Sequence, residues 1–399
     1  MKLNMNRIAA EYVFTGSGER PLRNGYVEYT SDGTVTAVGT CTDIASEPDF
    51  RKGAIVPGFV DSHCHLELSH LQGKFVKGTG MSGFINQINE LRDFTSRENR
   101  MAAAARWMDI LWRQGVSAVA DISNCDETFS LKSGSPLYTR TFLEVFGTEP
   151  RDCAAIMSGV RKLASEARTY GIDAAPTPHA CYTMSPELVT AVSADGLASG
   201  FLSYHSEESM EEEDLMVSGT GALAENYRGR HLSTPPVTGK PSLCYFVDRL
   251  LKVHEPPFRE HILLVHNVCL GQEALDYASE YLENVWWAVC PLSNIFIHNT
   301  LPPIPLMRKN GLKITVGTDS LSSNDTLDMV KEMYCLQEAF NDVPLEEIVR
   351  WATLNGAEFL SREDVLGSLE QGKKPGIVWI RNISPEGRLL RDSVSERII

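Results

Sequence analysis

The sequence predicts an α/β fold in which a (β/α)8 barrel accompanies a small β domain. Apolar strand-like segments alternate with helical segments after Pro57-Gly58, eight such segments occur, and both chain ends have strand-like patterns. Alternation of this kind gives parallel strands joined by right-handed crossovers, and eight repeats suit a closed barrel. A doubly wound open sheet shows the same alternation, so the count alone leaves both architectures open.

The eight predicted barrel strands are short apolar runs separated by helical or turn-forming residues. They cover residues 54–60, 116–122, 140–146, 172–176, 201–205, 261–266, 286–290 and 313–318. The clearest helix between them is predicted over 97–114, where Thr95 and Glu98 fit a capping box and Gly115 follows as a stop signal. The segment 231–241, rich in Pro, Thr and Gly, is predicted to be a long loop.

The small domain is predicted from short alternating runs near the two chain ends. These runs cover 12–14, 25–30, 34–38 and 377–380. Ser31-Asp32-Gly33 supplies a hairpin turn between two of them. We therefore assign 1–56 plus 366–399 to the small domain and 57–365 to the barrel.

The composition is that of a globular protein and excludes several classes of partner. The 399 residues include 37 Lys and Arg against 52 Asp and Glu, a net charge of −15, and 43% are hydrophobic. This acidic balance argues against nucleic acid and against anionic membrane surfaces. No apolar run reaches the ~18 residues of a membrane span. Nine scattered Cys without a CxxC pair, and no signal-peptide stretch, predict reduced thiols in a cytoplasmic protein.

Several strand-like runs end in residues that bind metal ions. His63 and His65 alternate at the end of the first run, so both rings face the same side. His205 and Asp319 lie at the ends of the fifth and eighth runs. Because C-terminal strand ends of a barrel converge on one face, these four residues predict a site for one divalent ion. The donor set suits Zn²⁺, with Fe²⁺ as the alternative.

Two further candidates each have a plainer interpretation. Glu208, three residues after His205, suits a proton shuttle beside the metal, but the acidic run 207–214 around it is typical of a solvated face. His266 ends the sixth run, where a single His is more often a buried core residue. The residues alone leave both roles open.

A series of blocks then resembles the amidohydrolase superfamily, and within it the nucleobase and nucleoside deaminases. The blocks are PGFVDSHCHLE at 57–67, PHACYTMSPELV at 178–189, HSEE at 205–208, VH at 265–266, CPLSN at 290–294, VGTDSLSSNDTLDM at 316–329 and ATLNGA at 352–357. They follow the family order over nearly the whole chain. The resemblance implies a (β/α)8 barrel with a small β-sandwich formed by both termini.

The resemblance also implies roles for individual residues. Glu208 would protonate the ring nitrogen of the substrate, His266 would orient the hydroxide, and Asp319 would accept the proton of the water as well as bind the metal. His179 would contact the substrate. Binuclear members commonly use a carbamylated Lys on the fourth strand, and 171–183 contains no Lys, which favours a single metal ion.

The substrate is indicated by the short motif His65-Leu66-Glu67-Leu68-Ser69, which looks like that of the aminodeoxyfutalosine deaminases of menaquinone synthesis. Glu67 within it is taken as a substrate-binding residue. Deaminases of S-adenosylhomocysteine, methylthioadenosine or guanine, and a non-deaminating amidohydrolase or chlorohydrolase, remain alternatives, as does a barrel that only binds nucleosides. The expected partner is a small nucleoside or base, with a homodimer as a further expectation from relatives.

Overall fold

The computed structural model describes residues 5–399 and confirms the α/β architecture. The strands are β1 (Met5–Val13), β2 (Leu22–Thr30), β3 (Val35–Thr40), β4 (Phe50–Pro57), β5 (Phe59–Cys64), β6 (Val116–Ser123), β7 (Tyr138–Val145), β8 (Asp173–Pro178), β9 (Phe201–Ser206), β10 (His261–His266), β11 (Val285–Val289), β12 (Lys313–Val316), β13 (Ile377–Ile383) and β14 (Leu389–Arg397). The helices are α1 (Gly80–Leu91), α2 (Arg97–Arg113), α3 (Phe129–Ser133), α4 (Cys153–Thr169), α5 (Pro186–Ala198), α6 (Met210–Ser218), α7 (Gly221–Gly229), α8 (Ser242–Leu250), α9 (Gln272–Tyr281), α10 (Pro291–His298), α11 (Ile304–Lys309), α12 (Met329–Ala339), α13 (Leu345–Trp351) and α14 (Leu354–Phe359).

The barrel consists of two four-stranded parallel sheets, β5-β6-β7-β8 and β9-β10-β11-β12. The sheets meet at both edges, where the N–H of His205 donates to the carbonyl of His179 at 2.9 Å and the N–H of Asp319 donates to the carbonyl of His63 at 2.9 Å. The eight strands thus form a (β/α)8 barrel, and β6 to β12 begin and end within two residues of their predicted ranges.

The first predicted strand, 54–60, is wrong as a single element. It is divided at Gly58 into β4, which belongs to the small domain, and β5, which belongs to the barrel. A Cβ at Gly58 would lie 2.0 Å from Ser117 Oγ and 2.3 Å from the carbonyl oxygen of Pro375. Only glycine lets the chain pass between these groups, and the continuous apolar pattern conceals the break.

The small domain is a single six-stranded sheet in the order β14-β13-β4-β1-β2-β3. Strand β4 pairs in parallel with β1 and antiparallel with β13, so it joins the N-terminal and C-terminal strands. This confirms that both termini build the domain, although the six strands form one hydrogen-bonded sheet. The boundaries at 56/57 and 365/366 stay a prediction, and the first four residues of the assigned domain lie outside the described part.

Helix α2 confirms the predicted helix but not its cap. Ser96 is the N-cap, and its hydroxyl accepts from the N–H of Asn99, whereas Thr95 and Glu98 do not form the expected box. The two interpretations differ by one residue because Thr95-Ser96 offers two hydroxyls in succession. Residues 231–241 form a loop, as predicted. Across residues 5–399, no helix combines the length and apolar character needed to cross a bilayer.

Candidate metal centre and active-site cavity

The predicted metal ligands meet at the C-terminal edge of the barrel. His63 lies on β5 with His65 directly after it, His205 lies on β9, and Asp319 follows β12. His266, the last residue of β10, lies beside them. His266 and Asp319 have φ angles of 75° and 58°, so the backbone turns sharply where these strands end.

The ligand atoms lie close enough to bind one ion. His63 Nε2 is 3.2 Å from His65 Nε2, and Asp319 Oδ1 is 3.8 Å and 3.5 Å from these two nitrogens. Donor atoms of His63, His205 and His266 form a second triplet within 4.8 Å of one another. Burial lowers the pKa of the His63 and His205 imidazoles, which keeps them neutral and able to coordinate. Buried imidazole nitrogens facing a carboxylate are the donors that Zn²⁺ and Fe²⁺ take, so these residues fit a divalent ion.

The Asp319 carboxylate is oriented by two hydroxyls. Its Oδ2 accepts hydrogen bonds from Ser293 Oγ at 2.5 Å and Ser323 Oγ at 2.8 Å, which leaves Oδ1 facing the histidines. Burial opposes ionisation, but the neighbouring imidazoles, His266 foremost, outweigh it and lower the pKa of Asp319 to about 2. Asp319 is therefore a carboxylate at neutral pH, as a metal ligand must be.

Glu208 is not part of a solvated face. The residue is 4% exposed, its Oε2 accepts from the Tyr182 hydroxyl at 2.8 Å, and its Oε1 lies 3.4 Å from His266 Nε2. Burial raises the pKa of Glu208 well above the usual value. Glu212, also buried, accepts from the backbone N–H of Glu208 at 2.8 Å and fixes its position. A buried carboxyl group beside the metal ligands can hold a proton at neutral pH and deliver it.

A cavity of about 550 Å³ opens from the candidate metal centre to helix α1. His65, His205, His266, Glu208 and Asp319 line its inner end, and Met81, Phe84, Ile85 and Ile88 of α1 line its outer wall. These α1 positions recur at helical spacing, so one face of the helix covers the cavity. Small-molecule ligands typically bind in concave, partly apolar cavities of this volume.

The two predicted substrate contacts differ in their surroundings. His179 lies on the cavity, stacks on His205 with ring centroids 4.4 Å apart, and its Nδ1 bonds to Thr183 Oγ1 at 2.8 Å. Glu67 lies behind the wall, where its carboxylate is held by four donors. These donors are Arg92 Nη2 (2.7 Å), Ser123 Oγ (3.0 Å), Asn124 N (2.9 Å) and Cys125 Sγ (3.1 Å). Glu67 thus holds Arg92, and Arg92 is the residue of this pair that lines the cavity. Direct contact of Glu67 with substrate stays a prediction.

Several residues of the cavity carry no sequence assignment. Glu144 is buried at the end of β7, has its Oε1 3.4 Å from His205 Nδ1, and has a pKa raised to about 8 by burial. Arg92 follows α1 and lines the cavity. Neither Glu144 nor Arg92 lies in one of the sequence blocks that resemble the family. Ser293 and Asn294 do lie in such a block, CPLSN at 290–294, so the sequence offered a signal for these two residues.

Comparison with known proteins agrees with this geometry. The chain is 25% identical to an adenosine deaminase of Helicobacter pylori over 335 residues, which is 82% of this chain and 78% of that protein. It is 25% identical to a 5-methylthioadenosine/S-adenosylhomocysteine deaminase of Halalkalibacterium halodurans over 414 residues, which is 92% of this chain and 83% of that protein.

Two crystal structures share the fold. One is Helicobacter pylori aminofutalosine deaminase in complex with methylthio-coformycin (TM-score 0.76, 23% identity, 96% of this chain and 93% of the other). The other is an adenosine deaminase from Xanthomonas campestris with bound zinc (TM-score 0.72, 20% identity, 96% and 86%). Residues 54–389 match the amidohydrolase family. The chain therefore belongs to the amidohydrolase family and is a hydrolase that acts on carbon–nitrogen bonds.

Proposed function

We propose that this protein is a hydrolytic deaminase of a 6-aminopurine nucleoside, with aminodeoxyfutalosine as its substrate in menaquinone synthesis. The observation that carries the proposal is the position of Glu208. This buried carboxyl group lies beside converging metal ligands at the closed end of a cavity of about 550 Å³. The relatives at about 25% identity are adenosine-type deaminases, which supports the reaction class.

His63, His65, His205 and Asp319 would hold the divalent ion, Zn²⁺ first and Fe²⁺ as the alternative. When bound, such an ion lowers the pKa of a coordinated water to ~7. Asp319 Oδ1 faces this site as a carboxylate and can accept a proton there. His63 and His205 hold their rings at right angles, with centroids 4.8 Å apart, so their nitrogens approach the site from different directions.

Glu208 would bind the purine by its ring nitrogen. In its protonated form it donates to the nitrogen adjacent to the amine-bearing carbon, which relieves the charge that develops there. Tyr182 holds Oε2 of Glu208 and leaves Oε1 for this contact. His179 flanks the same space and would pack against the base. The oxygen of a water replaces the amine at that carbon. The proton that Asp319 would accept from this water passes to the amine, which leaves as ammonia, and the proton of the new hydroxyl group restores Glu208.

The outer cavity favours a nucleoside with an extended substituent over a free base. A purine that reaches Glu208 leaves the α1 wall of Phe84, Ile85 and Ile88 uncovered unless the substrate carries an apolar group. Arg92 lines the same cavity, and its guanidinium would attract a carboxylate such as that of the benzoate in aminodeoxyfutalosine. The thioether of methylthioadenosine or S-adenosylhomocysteine would also cover the wall, which makes these the second candidates.

Ammonia release by the zinc-loaded protein tests the proposal directly. The substrates are aminodeoxyfutalosine, S-adenosylhomocysteine, methylthioadenosine, adenosine and guanine at equal concentration. We expect the highest kcat/KM with aminodeoxyfutalosine and the lowest with guanine. A preference for a thioether nucleoside would replace the substrate but keep the reaction, and no ammonia from any of the five would reject deamination.

A further inference from the structure

We propose that Asn294 is a positioning residue that keeps the proton of neutral His266 on Nε2. The inference deepens the proposed function, because it concerns the same site. Asn294 Nδ2 lies 3.1 Å from His266 Nδ1, and both residues are fully buried. An amide nitrogen can only donate, so in this arrangement His266 Nδ1 accepts and carries no proton itself. The neutral imidazole then holds its one proton on Nε2.

The backbone fixes both partners of this hydrogen bond. Asn294 lies in the first turn of α10, and its N–H donates to the carbonyl of Cys290 at 2.9 Å. His266 ends β10 with a φ of 75°, and the N–H of Asn267 after it donates to the carbonyl of Ser206 at 2.9 Å. The ring of His266 is thus held between the ends of neighbouring strands. Backbone in a sparsely populated conformation persists only where its surroundings hold it so.

The opposite ring nitrogen faces the reacting end of the cavity. His266 Nε2 is 3.4 Å from Glu208 Oε1 and has no hydrogen-bond partner among residues 5–399. A protonated Nε2 has no free lone pair, so it cannot coordinate a metal ion. His266 is therefore excluded from the ligand set, although its nitrogen lies within 4.8 Å of ligand atoms of His63 and His205. It acts as a hydrogen-bond donor, which leaves proton acceptance to the carboxylates.

Nuclear magnetic resonance of the zinc-loaded protein with ¹⁵N-labelled histidine measures the position of this proton. The signals of His266 are identified by their disappearance in His266→Gln. We expect a protonated Nε2 and a bare Nδ1 in the wild type. In Asn294→Asp the carboxylate accepts from Nδ1, and we expect the proton to move there. A protonated Nδ1 or a zinc-bound Nε2 in the wild type would overturn the proposal, whether or not a variant folds.

Kinetics and metal content supply the second readout. We expect Asn294→Asp to lower kcat by about 10²-fold, as for the loss of one donor aimed at the transition state, with a much smaller change in KM and unchanged zinc content. Asn355→Asp is the matched control, because Asn355 is also buried, Arg350 Nε donates to its Oδ1 at 2.9 Å, and neither residue lines the cavity. Equal kcat for Asn294→Asp and the control would contradict the proposal.

Failure of this inference and failure of the proposed function give different results. If no nucleoside releases ammonia, the ¹⁵N spectrum still reports the proton on His266. If the spectrum shows the opposite tautomer while ammonia is released, the deaminase stands and only the role of Asn294 is rejected.

Discussion

At the scale of single residues, the candidate metal ligands and the proposed proton donor are different groups with different partners. His63 lies among the candidate ligand atoms, whereas Glu208 is held by Tyr182 and lies beside His266. A substitution at one position should therefore leave the task of the other intact.

Glu208→Gln and His63→Ala test this separation as a pair. We expect Glu208→Gln to keep full zinc content and lose about 10²–10⁴-fold in kcat, the usual contribution of a positioned acid or base. His63→Ala should lose zinc, because it removes a ligand atom that lies 3.2 Å from His65 Nε2. Metal analysis and single-turnover rates measure the two effects. Retained activity in Glu208→Gln would reject its role as the proton donor, and retained zinc in His63→Ala would remove that residue from the ligand set.

At the scale of elements, helix α1 depends on a carboxylate from another helix. Glu211 of α6 accepts from the N–H groups of Met81 and Ser82, both at 2.9 Å, at the start of α1. Thr79, at the N-cap position, makes no side-chain hydrogen bond there. A Cβ at Gly80 would lie 2.3 Å from Glu211 Oε1, so glycine permits this approach. Glu211 thus satisfies the helix N-terminus and its dipole, and it holds the outer wall of the cavity.

Loss of this cap should raise KM for the substrate more than it lowers kcat. Glu211→Gln keeps one acceptor oxygen but removes the second and the charge, at a cost of ~1 kcal/mol as for an N-cap substitution. If that energy comes out of substrate binding, KM rises about fivefold while kcat changes little. Glu213→Gln is the matched control, because Glu213 of α6 accepts from Ser242 N at the start of α8, which does not line the cavity. Steady-state kinetics with equal KM in the two variants would contradict the role of α1.

Elements marked by a local sequence pattern could be predicted from the sequence. Features that depend on contacts between residues distant in the chain could not. The strand ends carrying His205, His266 and Asp319 are marked by apolar runs that stop at a polar residue. The break at Gly58 depends on Ser117 and Pro375, which are distant in sequence, so an apolar run conceals it.

The same distinction holds within the site. The candidate ligands His63 and His65 follow from spacing, since two imidazoles two residues apart share one side of a strand. The partners of those ligands come from other strands and helices. Ser293 reaches Asp319 and Asn294 reaches His266 only after folding, so no spacing rule identifies them. Glu67 shows the converse, because a residue in a distinctive motif serves to hold Arg92.

At the scale of the whole molecule, Arg397 joins the small sheet to the barrel. It lies at the end of β14, and its guanidinium donates to the carbonyls of Trp112 and Val116, both at 2.8 Å. The same group lies 3.6 Å from the centroid of the Trp112 ring. Burial lowers the pKa of Arg397 to about 10, and its Nη1 also donates to the backbone oxygen of Ile399 at 3.0 Å. The planar guanidinium therefore supplies hydrogen-bond donors to backbone carbonyls at the connection between α2 and β6.

Replacement of Arg397 should loosen this junction without touching the cavity. Arg397→Met removes the donor to the buried Val116 carbonyl, whereas the Trp112 carbonyl still accepts from the N–H of Gly115 at 3.0 Å. We expect the free energy of unfolding to fall by roughly 2 kcal/mol, since an unsatisfied buried group costs about 1–3 kcal/mol. Arg397→Lys should lie between, because an ammonium donates but cannot span both carbonyls in one plane. Arg381→Met, on β13 of the same sheet and exposed, is the control and should change stability by no more than about 0.5 kcal/mol. Urea unfolding measures all three, and equal values for Arg397→Met and Arg381→Met would show that the sheet is held to the barrel by its apolar face alone.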